Sequence, residues 1–359
     1  MRKFSGLFAG LILLFASAAI MNGLYHFVRF WMEAPQGPTL VVFYEVKPGM
    51  SPHQVSNELK QLGVITSAKM FYWYGRMTGK LAKFKAGDYR FTTSMKPDEV
   101  MNIIMSGISF GYPIVIPEGY NIEQIAAQIE KVRPGAGDRF KNLCEDETFI
   151  NGLGLFKSSP KRLEGFLFPD TYFMTRKTHI EDLIRQMVKN YRSVFSPELE
   201  AKAVAIGMTE FEVITLASIV ERETGSPKER PMVASVFHNR LKKRMRLQSD
   251  PTVIYGLKNY QGNITKKDLL TPSPYNTYTL PGLPVGPIGN PGKESILAVL
   301  NPANTPFLYF VSHNDGTHEF TENYEKHRQA VGRFQLDRKA REGHSWRELN
   351  QKQPALPAK

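Results

Sequence analysis

The sequence predicts an α+β protein: an N-terminal membrane anchor, a small βα module, and a larger mixed α/β region with a helical core. Three observations predict it. No Asp, Glu, Lys or Arg occurs between Lys3 and Arg29, so the 359-residue chain opens on a long apolar run. A strand–turn–helix pattern then recurs between Val41 and Val132. Beyond it, helical stretches alternate with Pro- and Gly-marked loops. A chain of this length can hold two or three domains, each with its own core.

The apolar run supplies 25 uncharged residues, Phe4 to Val28. At about 1.5 Å per helical residue they exceed the ~30 Å hydrocarbon core. Arg2 and Lys3 precede them, and the positive-inside rule keeps that end cytoplasmic and the rest of the chain outside. Ala16-Ser17-Ala18 resembles a signal-peptide cleavage site. The run continues past it to Val28, and Trp31 suits an interfacial anchor. We therefore expect an uncleaved single-pass anchor over residues 1–32, followed by a linker, "EAPQGPT", over 33–39. The net charge of +12 suits nucleic acid, anionic lipid or an anionic polymer. Placement outside the cytoplasm removes nucleic acid from that choice. The single cysteine, Cys144, permits no intramolecular disulfide and reads as a buried apolar residue.

The module is expected over 40–110. "VVFYEV" is strand-like, "KPGMSP" turns the chain with Ser51 as N-cap and Pro52 at the first helical position, and "HQVSNELKQLGV" is helical. The unit returns as "GDYRF", "TTSMKP" and "DEVMNIIMSG". A third version, "YPIVI", "PEGYN" and "IEQIAAQIEKV", opens the larger region, expected over 111–340. Helices follow at 179–195 and 196–207. Thr209 and Glu212 form a capping box for the next helix. Residues 228–245 make another. Thr271 to Gly292 carries six prolines and four glycines and cannot be regular structure; its apolar content marks it as a fixed loop of the kind that carries function. "FLYFVS", a turn at Asn314-Asp315-Gly316, and "THEF" predict a hairpin. A last helix is expected over 323–340, then a polar tail over 341–359.

"LASIVERETG" (216–225) ends a buried-looking helix on two glutamates. At 100° per residue Glu221 shares a face with Ile214, Ala217 and Ser218, while Glu223 lies nearly opposite with Glu212, Leu216 and Ile219. The small Ala217 and Ser218 leave room for a ligand beside Glu221. A desolvated carboxyl there is the acid that neutral-pH proton donation needs. The competing reading is an ordinary ion pair with Arg222, Arg230 or Arg240, and spacing alone favours it. His238 reads as packed or solvated. His313, His318 and Glu319 flank the hairpin turn but match no zinc spacing, so no metal site is expected. Nucleophile-elbow, P-loop and dinucleotide fingerprints are absent. "RLKKRMR" (240–246) reads as a solvated helix end rather than a polyanion patch.

Several longer segments carry a resemblance: "EGFLFPDTY" (164–172), "LASIVERET" (216–224), "VASVFHNRL" (233–241), "MRLQSDPTVIYG" (245–256), and "SPYNTY" with "GLPVGPIGNPG" (273–292). Together they resemble the MltG/YceG family of endolytic murein transglycosylases, over about residues 40–338. The resemblance implies that the N-terminal module is LysM-like and that the larger region is catalytic. It implies cleavage of the bond between N-acetylmuramic acid and N-acetylglucosamine in peptidoglycan strands, leaving 1,6-anhydro ends, by a protein of the bacterial inner (plasma) membrane. It places the catalytic glutamate on Glu221 and overrides the spacing-only preference for an ion pair. It implies no cofactor, and partners among the peptidoglycan synthases and the elongation or division machinery.

Gln248, Asp250 and Asn290 stand on these motifs as candidate sugar-binding groups. Glu164 could line the cleft or orient Glu221, and Tyr275 and Tyr278 could stack on sugars. Structural roles are equally open for each: Asp250 precedes Pro251 as a natural helix cap, and Asn290 could hold the loop. Two other functions compete: a muramidase that admits water, and a non-catalytic wall-binding anchor. A pyridoxal-phosphate lyase would need a Schiff-base lysine and a phosphate cradle, and the sequence offers no convincing cradle.

Overall fold

The computed structural model describes residues 2–35, 37–154, 160–175, 178–257 and 260–336. They form two compact units, one holding the described residues up to Tyr112 and a short segment from Phe173, the other the remainder. The expected polar tail over 341–359 lies outside the described residues.

The first unit opens with α1 (Arg2–Met32). Among the described residues it is the one unbroken helix long and apolar enough to cross a bilayer. Leu13, Leu14, Phe15, Ile20, Met21 and Leu24 are all exposed on it, an arrangement that is unfavourable in water and not in lipid. The chain continues through β1 (Val41–Val46), α2 (Pro52–Gln61), α3 (Ala68–Met77), β2 (Gly87–Thr92) and α4 (Pro97–Ser106). β1 and β2 pair antiparallel, from Val41 opposite Thr92 to Val46 opposite Gly87. α2 starts as expected: Ser51 accepts from the Gln54 amide, Gln54 caps back, and Pro52 stands at the first position.

The two-repeat reading of this module needs correction, because it omitted α3. "AKMFYWYGRM" is dense in aromatics, which favour strands, yet Ser67 caps it as a helix and Phe71 and Gly75 turn inward. Tertiary burial overrides local preference here. The core joins Val55, Leu59, Phe71, Tyr89, Phe91, Val100, Met101 and Ile104. Phe30 at the end of α1 belongs to the same cluster, and Trp31 stacks on Tyr74 with ring centroids 3.5 Å apart. The last turn of α1 is thus part of this core.

The second part of the chain runs β3 (Tyr112–Val115), α5 (Ile122–Val132), α6 (Ala136–Glu145), α7 (Glu147–Gly152), β4 (Thr171–Met174), α8 (Ile180–Val194), α9 (Pro197–Ala205), α10 (Glu210–Glu223), α11 (Arg230–Lys242), α12 (Asp250–Gly256), α13 (Lys266–Leu270), α14 (Lys293–Leu300), β5 (Tyr309–Ser312), β6 (His318–Thr321) and α15 (Tyr324–Val331). The β5–β6 hairpin forms with Tyr309 opposite Thr321 and Ser312 opposite His318. Thr271 to Gly292 contains no regular helix or strand. Cys144 is buried. The last helix begins as α15, which ends at Val331 and gives way to a π-helical turn over Gly332–Leu336; the rest of its expected span, 337–340, lies outside the described residues.

α10 is the axis of this unit. Every residue from Val213 to Val220 on it is buried, and it packs against α9, α11, α12 and α14. A helix apolar on all sides must be enclosed, and each fully buried Val, Leu or Ile contributes about 1.5–3 kcal/mol. Thr209 starts it, accepting from the Glu212 amide while Glu212 caps back. Thr209→Ala is expected to cost about 1 kcal/mol, seen as a lower urea midpoint with an unchanged slope.

Candidate active site

α10 ends where its buried surface ends, and this places Glu221 at the rim of the core. The Glu221 side chain is only 5% exposed. Its Oε1 accepts from Nη2 of Arg230 at 2.7 Å, and its Oε2 accepts from the backbone N–H of Gly292 at 2.9 Å. Arg230 is the first residue of α11, and Gly292 caps α14. The ion-pair reading therefore holds geometrically for Glu221, with Arg230 as its partner. Arg222 instead donates to the Gly119 carbonyl, and Arg240 to the carbonyls of Leu247 and Leu308.

An ion pair would ordinarily hold a carboxyl low. Glu221 is raised nonetheless, because burial outweighs the Gly292 amide and the Arg230 charge, and Glu118 adds repulsion. The Ser295 hydroxyl, buried on α14 and making no hydrogen bond of its own, also favours the ionised form. Burial thus favours the protonated carboxyl, while the Gly292 N–H and Arg230 favour the anion. A single group that must act first as acid and then as base needs that balance.

The expected ligand space beside Ala217 and Ser218 is absent. Both residues are fully buried, and the Ile288 N–H donates to Ser218 Oγ at 3.0 Å. The small side chains admit the backbone of the Pro/Gly loop instead. That loop runs along α10 from Ile288, on Ser218, to Gly292, on Glu221, one helical turn further.

Asn290 sits between those two contacts and is fully buried. Its side chain accepts from the Leu167 N–H and donates to the Tyr120 carbonyl and to Glu164. Glu164 is buried, accepts also from the Ile122 N–H and from the Tyr255 hydroxyl at 2.8 Å, and is pushed up to about 7 by burial. The structure thus brings Glu164 and Asn290 together under the loop and places neither against Glu221. Tyr275 packs edge-on against Tyr255. It lines, with Glu164, a cavity of about 760 Å³ that Glu221 does not border.

The "LQSDP" residues form a separate cluster on the Glu223 side. Gln248 is exposed and held at φ +50°, an uncommon conformation for a residue with a side chain. Ser249 Oγ donates to Glu223. Asp250 is the first residue of α12 with Ser249 at the cap position, so the helix begins one residue earlier than read. Its Oδ1 accepts from the Tyr278 hydroxyl at 2.6 Å. His313 pairs with Thr317 and Glu319, and His318 with Glu229.

Burial pushes Glu223 up to about 7, with Ser249 only partly offsetting it. A folded value above the unfolded one, about 4.3, means that stability is full below the unfolded value and falls until pH passes 7. Glu223→Gln removes that dependence, and Ser249 can reverse its hydrogen bond to suit the amide. The variant is expected to gain about 3 kcal/mol relative to the parent between pH 4 and pH 8, measured by urea unfolding at both.

Sequence reasoning missed Glu118, in the loop between β3 and α5. Its Oε2 accepts at 3.2 Å from the same Arg230 nitrogen that serves Glu221. The signal was present in "PEGYN", but nothing local links that carboxylate to a helix a hundred residues away.

A desolvated carboxyl at the end of a buried helix, paired and backed by a fixed loop, is a group that can both give and take a proton. Comparison with known proteins supplies the family. Residues 44–333 match the YceG-like family, and the chain belongs to it. It is 35% identical over 305 residues to the endolytic murein transglycosylase of Bacillus subtilis, covering 80% of this chain and 83% of that protein. The endolytic murein transglycosylase of Streptococcus pneumoniae is 29% identical over 312 residues, and the match spans 56% of its length. A crystal structure of a YceG-like protein from Listeria monocytogenes superposes with a TM-score of 0.58 at 33% identity, covering 80% of this chain and 98% of that one.

Proposed function

We propose that this chain is an endolytic lytic transglycosylase of peptidoglycan, anchored by α1, with Glu221 as its one acid and base. The observation that carries this reading is the Glu221 carboxyl, buried and raised while still touching a cation and a backbone donor. The names of the relatives in Bacillus and Streptococcus support the same reaction.

The protonated carboxyl donates to the glycosidic oxygen between N-acetylmuramic acid and N-acetylglucosamine, and the C1–O bond breaks. Positive charge at C1 is shared with the ring oxygen or the acetamido group. The carboxylate then takes the C6 hydroxyl proton, O6 bonds to C1, and a 1,6-anhydro end results. Water is not consumed, and Glu221 finishes protonated. The Gly292 N–H and Arg230 stabilise the anion between the two transfers. One carboxyl performing both transfers dispenses with the second carboxylate that a hydrolase employs. In this reading β1–α2–α3–β2 is a LysM-like module, and the basic surface and the anchor favour strands near the membrane.

The test is mass spectrometry of purified peptidoglycan digested by the full chain in detergent. Anhydro-muramic ends are expected. Reducing ends, heavier by one water, would make the protein a muramidase. Binding without products would make it a wall-binding anchor.

A further inference from the structure

Among the described residues the Glu221 carboxyl has two neighbours of formal charge, and they come from different elements. Arg230 comes from α11. Glu118 comes from the loop between β3 and α5. Among the described residues Glu221 accepts from the Gly292 N–H at the start of α14, the Ser295 hydroxyl of α14 lies nearby, and on its own helix Arg222 is turned to the Gly119 carbonyl. One nitrogen, Nη2 of Arg230, serves both carboxylates, at 2.7 Å to Glu221 and 3.2 Å to Glu118. The arginine side chain is 8% exposed, Glu221 5%, and Glu118 46%. One enclosed cation thus faces two acids. If both ionise, the cluster carries a net negative charge in a poorly hydrated place. A proton on Glu221, the more enclosed of the two, relieves that charge where hydration is least.

Glu118 is held to this task by its backbone. The Gly119 N–H donates to the Asn290 carbonyl at 2.8 Å, and the Gly119 carbonyl accepts from Arg222 at 2.9 Å. Gly119 itself takes φ +77°, a conformation natural only to glycine. On the other side Gly292 makes room: a Cβ there would stand 1.9 Å from Glu118 Oε1. The missing side chain lets Glu118 lie over the cap of α14, whose N–H Glu221 accepts.

We propose that Glu118 is a positioning residue that competes with Glu221 for Arg230 and so keeps Glu221 as the acid. The proposal rests on the reading of Glu221 as the proton donor. Glu118 sets the pH at which the donor is available, and the reaction does not pass through it.

The test is the rate of anhydro-end formation by the full chain in detergent, from pH 4.5 to 9, for the parent and for Glu118→Gln, Glu118→Asp and Glu221→Gln. An acid must be protonated to act, so the rate falls as pH rises through its titration. Removing the Glu118 charge leaves Arg230 wholly to Glu221 and favours ionisation. For Glu118→Gln the alkaline limb is expected to move lower by about one pH unit, giving roughly tenfold loss at the alkaline end, little change at the acid end, and an unchanged KM. Glu118→Asp keeps the charge and is expected to move the limb by less. Should the amide variant fail to fold, Glu118→Ala removes the same charge and supplies the same readout.

An unmoved limb with normal rates would overturn the proposal. So would loss of activity at every pH, which would make Glu118 a catalytic carboxylate. An active Glu221→Gln would instead remove the reading of Glu221 on which the proposal rests, whatever the Glu118 variants do.

Discussion

Glu221→Gln is expected to abolish anhydro-end formation while leaving the protein folded. General acid–base assistance contributes about 10²–10⁴ in rate, and a group used in both proton transfers should lie at the upper end. The amide is isosteric. Its oxygen can still accept from Gly292 or Arg230, and Arg230 keeps Glu118 as a counter-charge. The melting midpoint should therefore shift by only a few degrees, which separates loss of chemistry from loss of fold. Product analysis by mass spectrometry and a thermal melt of the same sample check both halves. Anhydro ends from the variant at parental rates would remove Glu221 from the mechanism.

Gly165→Ala is expected to have the largest effect on stability, about 3–4 kcal/mol. Gly165 follows Glu164 in "EGFLFPDTY" and adopts φ +91°, where a side chain costs about 1–3 kcal/mol in strain. Its Cβ would also meet Pro287 at 2.6 Å and Ile214 at 2.8 Å. Neither neighbour is a flexible side-chain end: Pro287 belongs to the Pro/Gly loop, and Ile214 lies in the core of α10. Overpacking of this kind adds about 1–3 kcal/mol. The midpoint of urea unfolding should fall accordingly. Activity should fall as well, because the loop that the methyl displaces carries Gly292 to Glu221. Parental stability in this variant would mean that the loop can move off α10 at little cost.

The contrast between these two residues shows what was legible. Glu221 could be read as important because a carboxylate at the end of an apolar helix violates a local rule, and such violations mark function or a partner. The hairpin at Asn314-Asp315-Gly316 and the helix starts at Ser51 and Thr209 were legible because their hydrogen bonds are made within a few residues. α3 was not legible, since an aromatic-rich segment takes its conformation from what buries it. α13 and α14 are short and carry too little periodicity to announce themselves. The role of Ala217 and Ser218 was misread for a related reason. Small residues on a helix face signal close approach, but not whether a ligand or a strand of backbone approaches.

By itself, then, the sequence determined the apolar N-terminal helix, the alternation of elements, the burial of α10 and the position of Glu221 at its end. Each depends on periodicity or capping within a window of a few turns. Only the tertiary structure decided that Arg230, not Arg222 or Arg240, meets Glu221. It also decided that Gly292 supplies its backbone donor and that Glu118 shares its cation. Those partners lie 9, 71 and 112 residues apart along the chain from the group each one meets. Such contacts depend on how helices and loops pack in three dimensions, and packing is set by the summed burial of the whole core rather than by any local pattern.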